Sequence, residues 1–304
     1  MSTRIPLLDG ALCYVAYEAP LPVAPGIAYV HPNFHYANYF EDFGPFHLAD
    51  TFAFCDDLSA ALILAKAESQ VVYACTRHGL EEQANMVCLL GCWAVLKLGH
   101  SPKEALQPFH HLDLPCFHDA TEDLCAFELS ILNVVEGFAK ALNAQFVNRH
   151  TFSIPDYLYY EKVEHGDLNW ISPKFLAFAG PKDDLTEPTT IAHLPQFFIP
   201  YFKRHNITLV VRLNDKLYDE RIFRTAGINH INLPFPDGSN PSENVLEAFF
   251  TACDTTSGVV AVHCKAGLGR TGTCIAAFLM QRHGFTAKEA IGWLRYKLPR
   301  TEAS

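Results

Sequence analysis

Two stretches of this chain repeat one order of apolar and polar positions. Val71-Val-Tyr-Ala-Cys75 is a short apolar run; a Gly-containing loop follows it, then the apolar segment Asn85–Leu96 and a helix start at Pro102-Lys-Glu-Ala105. Val259-Val-Ala-Val-His-Cys264 opens the second copy, followed by a Gly-rich loop, the apolar segment Cys274–Met280 and Ala287-Lys-Glu-Ala290. Apolar β-branched runs bounded by turn residues predict buried strands, and apolar positions three and four apart predict helices. Each copy thus reads as buried strand, tight loop, apolar helix and second helix. The repeat predicts two related domains, 1–150 and 171–304, joined over 151–170 by a polar, aromatic, Gly-punctuated acidic linker.

The second domain adds predicted strands at Lys174–Phe178, Ile207–Leu213, His230–Leu233 and Gly258–Val262. Helices are predicted near Leu194–His205, Ser242–Thr251, Thr271–His283 and Thr286–Tyr296. Strands alternating with helices imply an α/β fold, each domain holding a central, mainly parallel sheet flanked by helices.

Composition narrows the partner. Apolar residues make up 49% and charged residues 18%, enough for a packed core. The formal charge is -10, from 33 acidic and 23 basic residues, which disfavours nucleic acid or an anionic membrane and suits a partner with basic residues near its reacting group. No apolar run reaches bilayer-spanning length, and Met1-Ser-Thr-Arg-Ile-Pro6 lacks the layout of a signal peptide. Ten scattered cysteines, several inside apolar helical patterns, are expected as reduced thiols. Histidines 31, 35 and 47 lack companions at metal-site spacing, so neither metal nor cofactor is expected.

The chemistry concentrates in His263-Cys264-Lys265-Ala266-Gly267-Leu268-Gly269-Arg270-Thr271-Gly272. Gly267 and Gly269 permit positive φ, so successive N–H groups can curl toward one point at a helix N-terminus, which is an anion site. Arg270 offers a planar fork of donors for two phosphoryl oxygens. The helix end and Arg270 both favour thiolate over thiol at Cys264, the attacking species in nucleophilic catalysis. Ester cleavage also needs a proton for the departing oxygen, and Asp237, in Phe235-Pro-Asp-Gly-Ser239, is the candidate general acid. Thr271 can hydrogen-bond the sulfur or simply cap the helix. His263 reads equally as a support for the loop or as a satisfied strand histidine. After Cys75, by contrast, Glu81 and Glu82 stand where an arginine is needed, and carboxylates there repel a phosphate dianion. The first domain is expected to be inactive.

These residues resemble the mitotic-exit phosphatases, the cell-division-cycle-fourteen family of dual-specificity protein phosphatases. The likeness rests on His263–Thr273, Asp237-Gly-Ser239, Val210-Val-Arg-Leu-Asn214, Lys174–Pro181, the Tyr160–Asp167 linker with Asn169-Trp170, and Phe43-Gly-Pro45. The resemblance implies tandem phosphatase-like domains with only the second active, working through a phosphocysteine on phosphoserine, phosphothreonine and phosphotyrosine in proteins. It further implies substrates with proline after the phosphoserine and a basic residue downstream, bound by Glu161, Glu164 and Asp167. A cell-cycle role in nucleus or cytoplasm, including spindle or centrosome, is implied in the same way. The stretch Arg295–Ser304 departs from the family, with Leu298 where the family has arginine and no glutamine segment following: either the sequence is truncated there or the second step is slowed, with transfer to Cys264 expected to survive in the second case. Two rivals remain open: a phosphopeptide-binding scaffold with little turnover, and a phosphoinositide phosphatase, against which Leu268 and the acidic charge speak.

Overall fold

The computed structural model describes residues 3–298 apart from 19–20, 22–23, 35, 37, 39–41, 120–126 and 184–192. His35 and the stretch beyond Leu298 therefore lie outside the described residues. The chain divides into two compact units, Met1–Ala141 with Ile291–Tyr296, and Leu142–Ala290 with Lys297–Ser304. The return of Ile291–Tyr296 to the first unit has no signal in the sequence pattern. It follows from the Tyr296 hydroxyl, buried and 2.7 Å from the Thr51 hydroxyl.

In the first unit, β1 (Thr3–Leu7), β2 (Leu12–Tyr17), β3 (Ile27–Val30) and β4 (Val71–Arg77) form a sheet ordered β1-β2-β4-β3, antiparallel only between β1 and β2. Around it lie α1 (Leu48–Ala67), α2 (Leu80–Trp93), α3 (Pro102–Leu106) and α4 (Ile131–Asn143). Tyr14, Phe54, Leu58, Val72, Ala74, Leu89 and Trp93 share its core. The apolar run of β4 is consistent with a strand covered on both faces. Helix α2 begins earlier than its apolar segment suggests, because Glu81 and Glu82 in its first turn suit the positive end of the helix dipole.

In the second unit, α5 (Ile154–Tyr160) precedes β5 (Asn169–Ser172), β6 (Phe175–Phe178), α6 (Pro195–Arg204), β7 (Ile207–Arg212), α7 (Arg221–Thr225) and β8 (Asn229–Asn232). Then come α8 (Glu243–Thr255), β9 (Val259–His263), α9 (Gly269–His283) and the start of α10 (Ala287–Lys297), whose residues 291–296 belong to the first unit. The sheet runs β5-β6-β9-β7-β8, and every pair except β5–β6 is parallel. On one face Leu176, Phe178, Val210 and Ala261 pack with Phe198, Phe202 and Phe223. On the other, Phe175 meets Phe278 of α9 at 4.9 Å and Phe249 of α8 at 6.0 Å. Strand β9 is thus central and buried, and its carboxyl end is where open α/β sheets bind ligands.

The acidic linker is not an open tether. Ser153 caps α5 through Asp156 N–H, and a single 3₁₀ turn, Val163–His165, leads into β5. The two units also share a device at the start of their last predicted helices. Ser101 and Glu104 form a capping box before α3, and Thr286 and Glu289 form another before α10.

Candidate active site

Strand β9 ends at His263 and releases Cys264, 4% exposed, into the loop before α9. Gly267 turns that loop at φ +73, and a Cβ there would collide with the Phe178 backbone of the neighbouring strand. Gly269 differs from expectation. It opens α9 without left-handed backbone, and a Cβ would meet nothing within 4 Å, so only Gly267 supplies the turn. The helix starts two residues before the predicted Thr271, because the loop closes at Leu268, whose carbonyl accepts from Gly272 N–H. Its first N–H groups have no partner in a preceding turn and face outward along the axis.

Thr271 consequently lies inside the first turn and is not the cap; Leu268 is. The Thr271 hydroxyl is buried without a hydrogen-bond partner among the described residues, so no bond to the Cys264 sulfur is made either. Lys265 is exposed, while Ala266 and Leu268 are half-buried on the rim. From below, Gly180 N–H donates to the Lys265 carbonyl at 3.0 Å. A Cβ on Gly180 would run into the Cys264 carbonyl oxygen and sit 2.9 Å from His263 Nδ1.

Arg270 is the buried cation of the site, 8% exposed. Its Nη1 donates to the Phe235 carbonyl at 3.2 Å, and Nη2 pairs with Asp237 Oδ2 at 3.3 Å. The buried Nε–H finds no acceptor among the described residues. Asp237 sits in a turn held by Ser239, whose hydroxyl donates to the Pro236 carbonyl at 2.7 Å, and its carboxylate is 73% exposed. Cys264 thus stands in the loop before α9, Arg270 in the first turn of that helix, and Asp237 is ion-paired to Arg270.

His263 is satisfied on both sides. Nδ1 lies 2.9 Å from the Cys264 carbonyl oxygen and Nε2 lies 2.7 Å from Tyr218 Oη, which is also 2.7 Å from His230 Nε2. Burial pushes His263 down to about 3, against the pull of its bond to the Cys264 carbonyl, so the ring is neutral. Arg212 supports Tyr218, donating from Nη1 to its carbonyl at 2.9 Å with the guanidinium 4.7 Å over its ring, and pairs with Glu220 at 3.3 Å. Arg212 and Gly180 stand inside segments singled out in the sequence, but a role for each needs the strand order; Tyr218 and His230 gave no local signal.

The three linker acids do not share one exposed face. Helix α5 stops at Tyr160, so Glu161 and Glu164 are not on a common helix. Only Glu164 is exposed. Glu161 is buried, and its charge acts on Lys297, which burial pushes down to about 7. Asp167 is buried too, with burial pushing its carboxyl up to about 7 against a 2.8 Å bond from Asn169.

In the first unit, β4 continues past Cys75 to Arg77, so the thiol stays inside the strand and approaches the Tyr73 carbonyl at 3.3 Å. Burial pushes it up to about 12. The Glu82 carboxylate folds against Gly79 at the head of α2.

Residues 7–141 match the family described as dual specificity protein phosphatase, N-terminal half, and residues 187–284 match a phosphatase of polymorphic toxin systems with the dual-specificity and tyrosine phosphatase fold. The dual specificity protein phosphatase CDC14AB of Danio rerio is 42% identical over 273 residues, covering 88% of this chain and 44% of that relative. CDC14A of Homo sapiens is 41% identical, covering 87% of this chain and 45% of its own. The tyrosine-protein phosphatase CDC14 of Saccharomyces cerevisiae is 36% identical, with 87% and 50% covered. The chain belongs to the CDC14 family. It spans about half the length of these CDC14 relatives. The two-unit architecture of mainly parallel sheets flanked by helices is that of tandem dual-specificity phosphatase domains.

Proposed function

We propose that this chain is a protein phosphatase that hydrolyses phosphoserine, phosphothreonine and phosphotyrosine through Cys264. One observation carries the reading. Arg270, buried beside Cys264 on one loop, is held by the Phe235 carbonyl and the Asp237 carboxylate and keeps an Nε–H without acceptor, an arrangement suited to a phosphoryl oxygen. The Cys264 thiolate attacks phosphorus as the ester P–O bond breaks, and protonated Asp237 gives its hydrogen to the leaving oxygen. An arriving phosphoryl group competes for the guanidinium edge that Asp237 occupies, which frees the carboxyl for that transfer. Water then attacks the phosphocysteine, Asp237 takes its proton, the S–P bond breaks, and phosphate leaves with the thiolate restored.

The finer substrate reading is proline after the phosphoserine with a basic residue downstream; among the three linker acids Glu164 alone is exposed, which supports it as the partner of that basic residue. The first unit performs no turnover on this reading, because Cys75 is a core thiol and Glu82 fills the head of α2. A phosphopeptide panel varying Ser, Thr and Tyr, the following proline and the downstream lysine tests both levels. Hydrolysis favouring Ser-Pro with lysine is expected. A proline-insensitive profile overturns the preference, and no hydrolysis of any peptide overturns the activity.

A further inference from the structure

Residues far apart in the chain line a cavity of about 320 Å³ in the second unit. They include Phe152 before α5, Tyr157 and Tyr160 on it, Trp170 of β5, Tyr201 of α6, and Lys297, the last residue of α10. That volume stands at the small end of ligand cavities. Its aromatic wall is tied in place. Trp170 Nε1–H donates to Tyr201 Oη at 2.9 Å, the Tyr160 and Tyr201 rings lie 4.7 Å apart, and His205 stacks on Tyr201 at 4.1 Å. The indole N–H is thus already used, and the wall offers a ligand mainly ring faces.

Lys297 supplies the charge. Among the described residues lining the cavity it is the one lysine or arginine, and it is 3% exposed. Its ammonium lies 5.4 Å from the centre of the Phe152 ring and 5.2 Å from that of Tyr157. Ring faces attract a cation without neutralising it. The other groups around the cavity leave that charge dominant. His205 is lowered by burial and then by the Arg204 charge, and burial raises Tyr201, so both are neutral. Asp156 is the carboxylate on the lining, and it is exposed, where water screens it far more than the enclosed amine.

We propose that this cavity is a binding site for a small aromatic acid, whose ring lies on the Trp170–Tyr201 wall and whose carboxylate accepts from the Lys297 ammonium. Volume, ring faces and one enclosed cation select that chemistry together. A neutral ring would gain the wall and leave the cation without a new partner, and a cationic ring would be repelled. Burial pushes the amine down to about 7 against the opposing pull of Glu161, and a bound carboxylate adds a second anion that keeps it protonated. None of the lining residues belongs to the Cys264 loop or the Asp237 turn, so the site does not rest on the hydrolase reading.

Calorimetric titration of the whole chain with naphthoate tests this, with inorganic phosphate present to fill the Cys264 cradle. Saturable binding at one site is expected. Naphthalenemethanol and naphthylmethylammonium, which keep the ring and lack the negative charge, should each bind about tenfold more weakly. Lys297→Met keeps an apolar stem and removes the charge, and should bring naphthoate down to the level of the alcohol. Cys264→Ser should bind naphthoate as wild type does; a loss there would put the probe in the cradle and overturn the proposal. Three probes bound alike, no binding of naphthoate, or a folded Lys297→Met that binds it at full strength would each overturn it too. Should Lys297→Met fail to fold, the Trp170 indole N–H in nitrogen-15 spectra of the wild type decides, its signal assigned with Trp170→Phe. A shift with naphthoate and none with the ammonium probe supports the site, and an unmoved signal, or an equal shift with both, overturns it.

Discussion

Cys75 and Cys264 end comparable apolar runs in comparable strand–loop–helix frames, yet only Cys264 leaves its strand. Strand β4 carries on to Arg77 and keeps Cys75 within the sheet, where burial pushes the thiol up to about 12. Strand β9 stops at His263, so Cys264 leaves the sheet and enters a loop turned by Gly267. At the head of the following helix, α2 presents Glu81 and Glu82, whereas α9 presents Gly269 and Arg270. A short extension of one strand, and carboxylates in place of a guanidinium, separate a core thiol from an anion cradle. The scaffold tolerates both because the packing that holds it lies in the strands and helices, not in the loop.

The largest expected effect follows directly. Cys264→Ser should lower phosphopeptide hydrolysis by roughly 10⁵-fold, the scale of removing a nucleophile from a working site. Cys75→Ser should leave kcat unchanged. Brief iodoacetate treatment at pH 6.5, followed by peptide mapping, should place the label on Cys264 and none on Cys75. A loss of activity in Cys75→Ser would break the comparison outright.

Next in size is a pair of glycine substitutions, one under each loop. Gly180→Ala puts a methyl group into the Cys264 carbonyl and His263 Nδ1, neither of which can withdraw. A displacement of the loop by a fraction of an ångström is expected to lower kcat by about 100-fold. Gly79→Ala meets only the end of the flexible Glu82 side chain at ordinary backbone angles, so activity and melting temperature should stay near wild type. Equal kcat for the two variants would show that the underside of the second loop does not position its cysteine.

How much of this was legible in the sequence depends on range. The Cys264-to-Arg270 loop and the strand before it could be read because strand, turn and helix head are contiguous and each has its own residue preference. The acid loop at Asp237 could be read as a turn, and the structure adds its ion pair with Arg270. What escaped was set by strand order. Gly180 lies under Cys264 only because β6 and β9 are parallel neighbours, and Tyr218 meets His230 and His263 only because β7 sits between β8 and β9. Short strands such as β5, with one polar residue at each end, carry too little periodicity to stand out. Gly269 was misjudged because glycine at a helix head looks the same in sequence as glycine in a left-handed turn. The linker acids were misjudged because charge suggests exposure, while Glu161 and Asp167 are buried.

That burial gives a further contrast, in how the two units carry acid. Glu82 is exposed, whereas Asp167 is enclosed and pushed up to about 7 by burial, the Asn169 bond opposing. A carboxyl raised in the folded state binds its proton more tightly than in the unfolded chain. Its contribution to stability is therefore complete below the ordinary carboxylate range near pH 4 and is lost as pH climbs through about 7. Asp167→Asn, which the left-handed φ of 49 at this position accommodates, should flatten that part of the curve. It should raise stability at pH 8 by on the order of 2 kcal/mol, read as melting temperature against pH. Glu82→Gln should leave the curve where it was. An unchanged slope in Asp167→Asn would mean that this carboxylate is already ionised and paired in the folded protein.

The smallest expected effect tests what the two units still share. Ser101 before α3 and Thr286 before α10 occupy the same place in matching capping boxes, each accepting from the backbone N–H of the glutamate three residues on. Removing either hydroxyl frees the backbone N–H of the glutamate, and at Ser101 also a bond to the Glu104 carboxylate, so Ser101→Ala and Thr286→Ala should each cost about 1 kcal/mol. Neither hydroxyl touches a cysteine loop, so kcat on a phosphopeptide should be the same in both variants and in wild type. If Thr286→Ala lowered kcat while Ser101→Ala did not, the frame of the second unit would be tuned to its loop. The two units would then differ in scaffold as well as in the residues mounted on it, and the first could not be treated as the second with its chemistry removed.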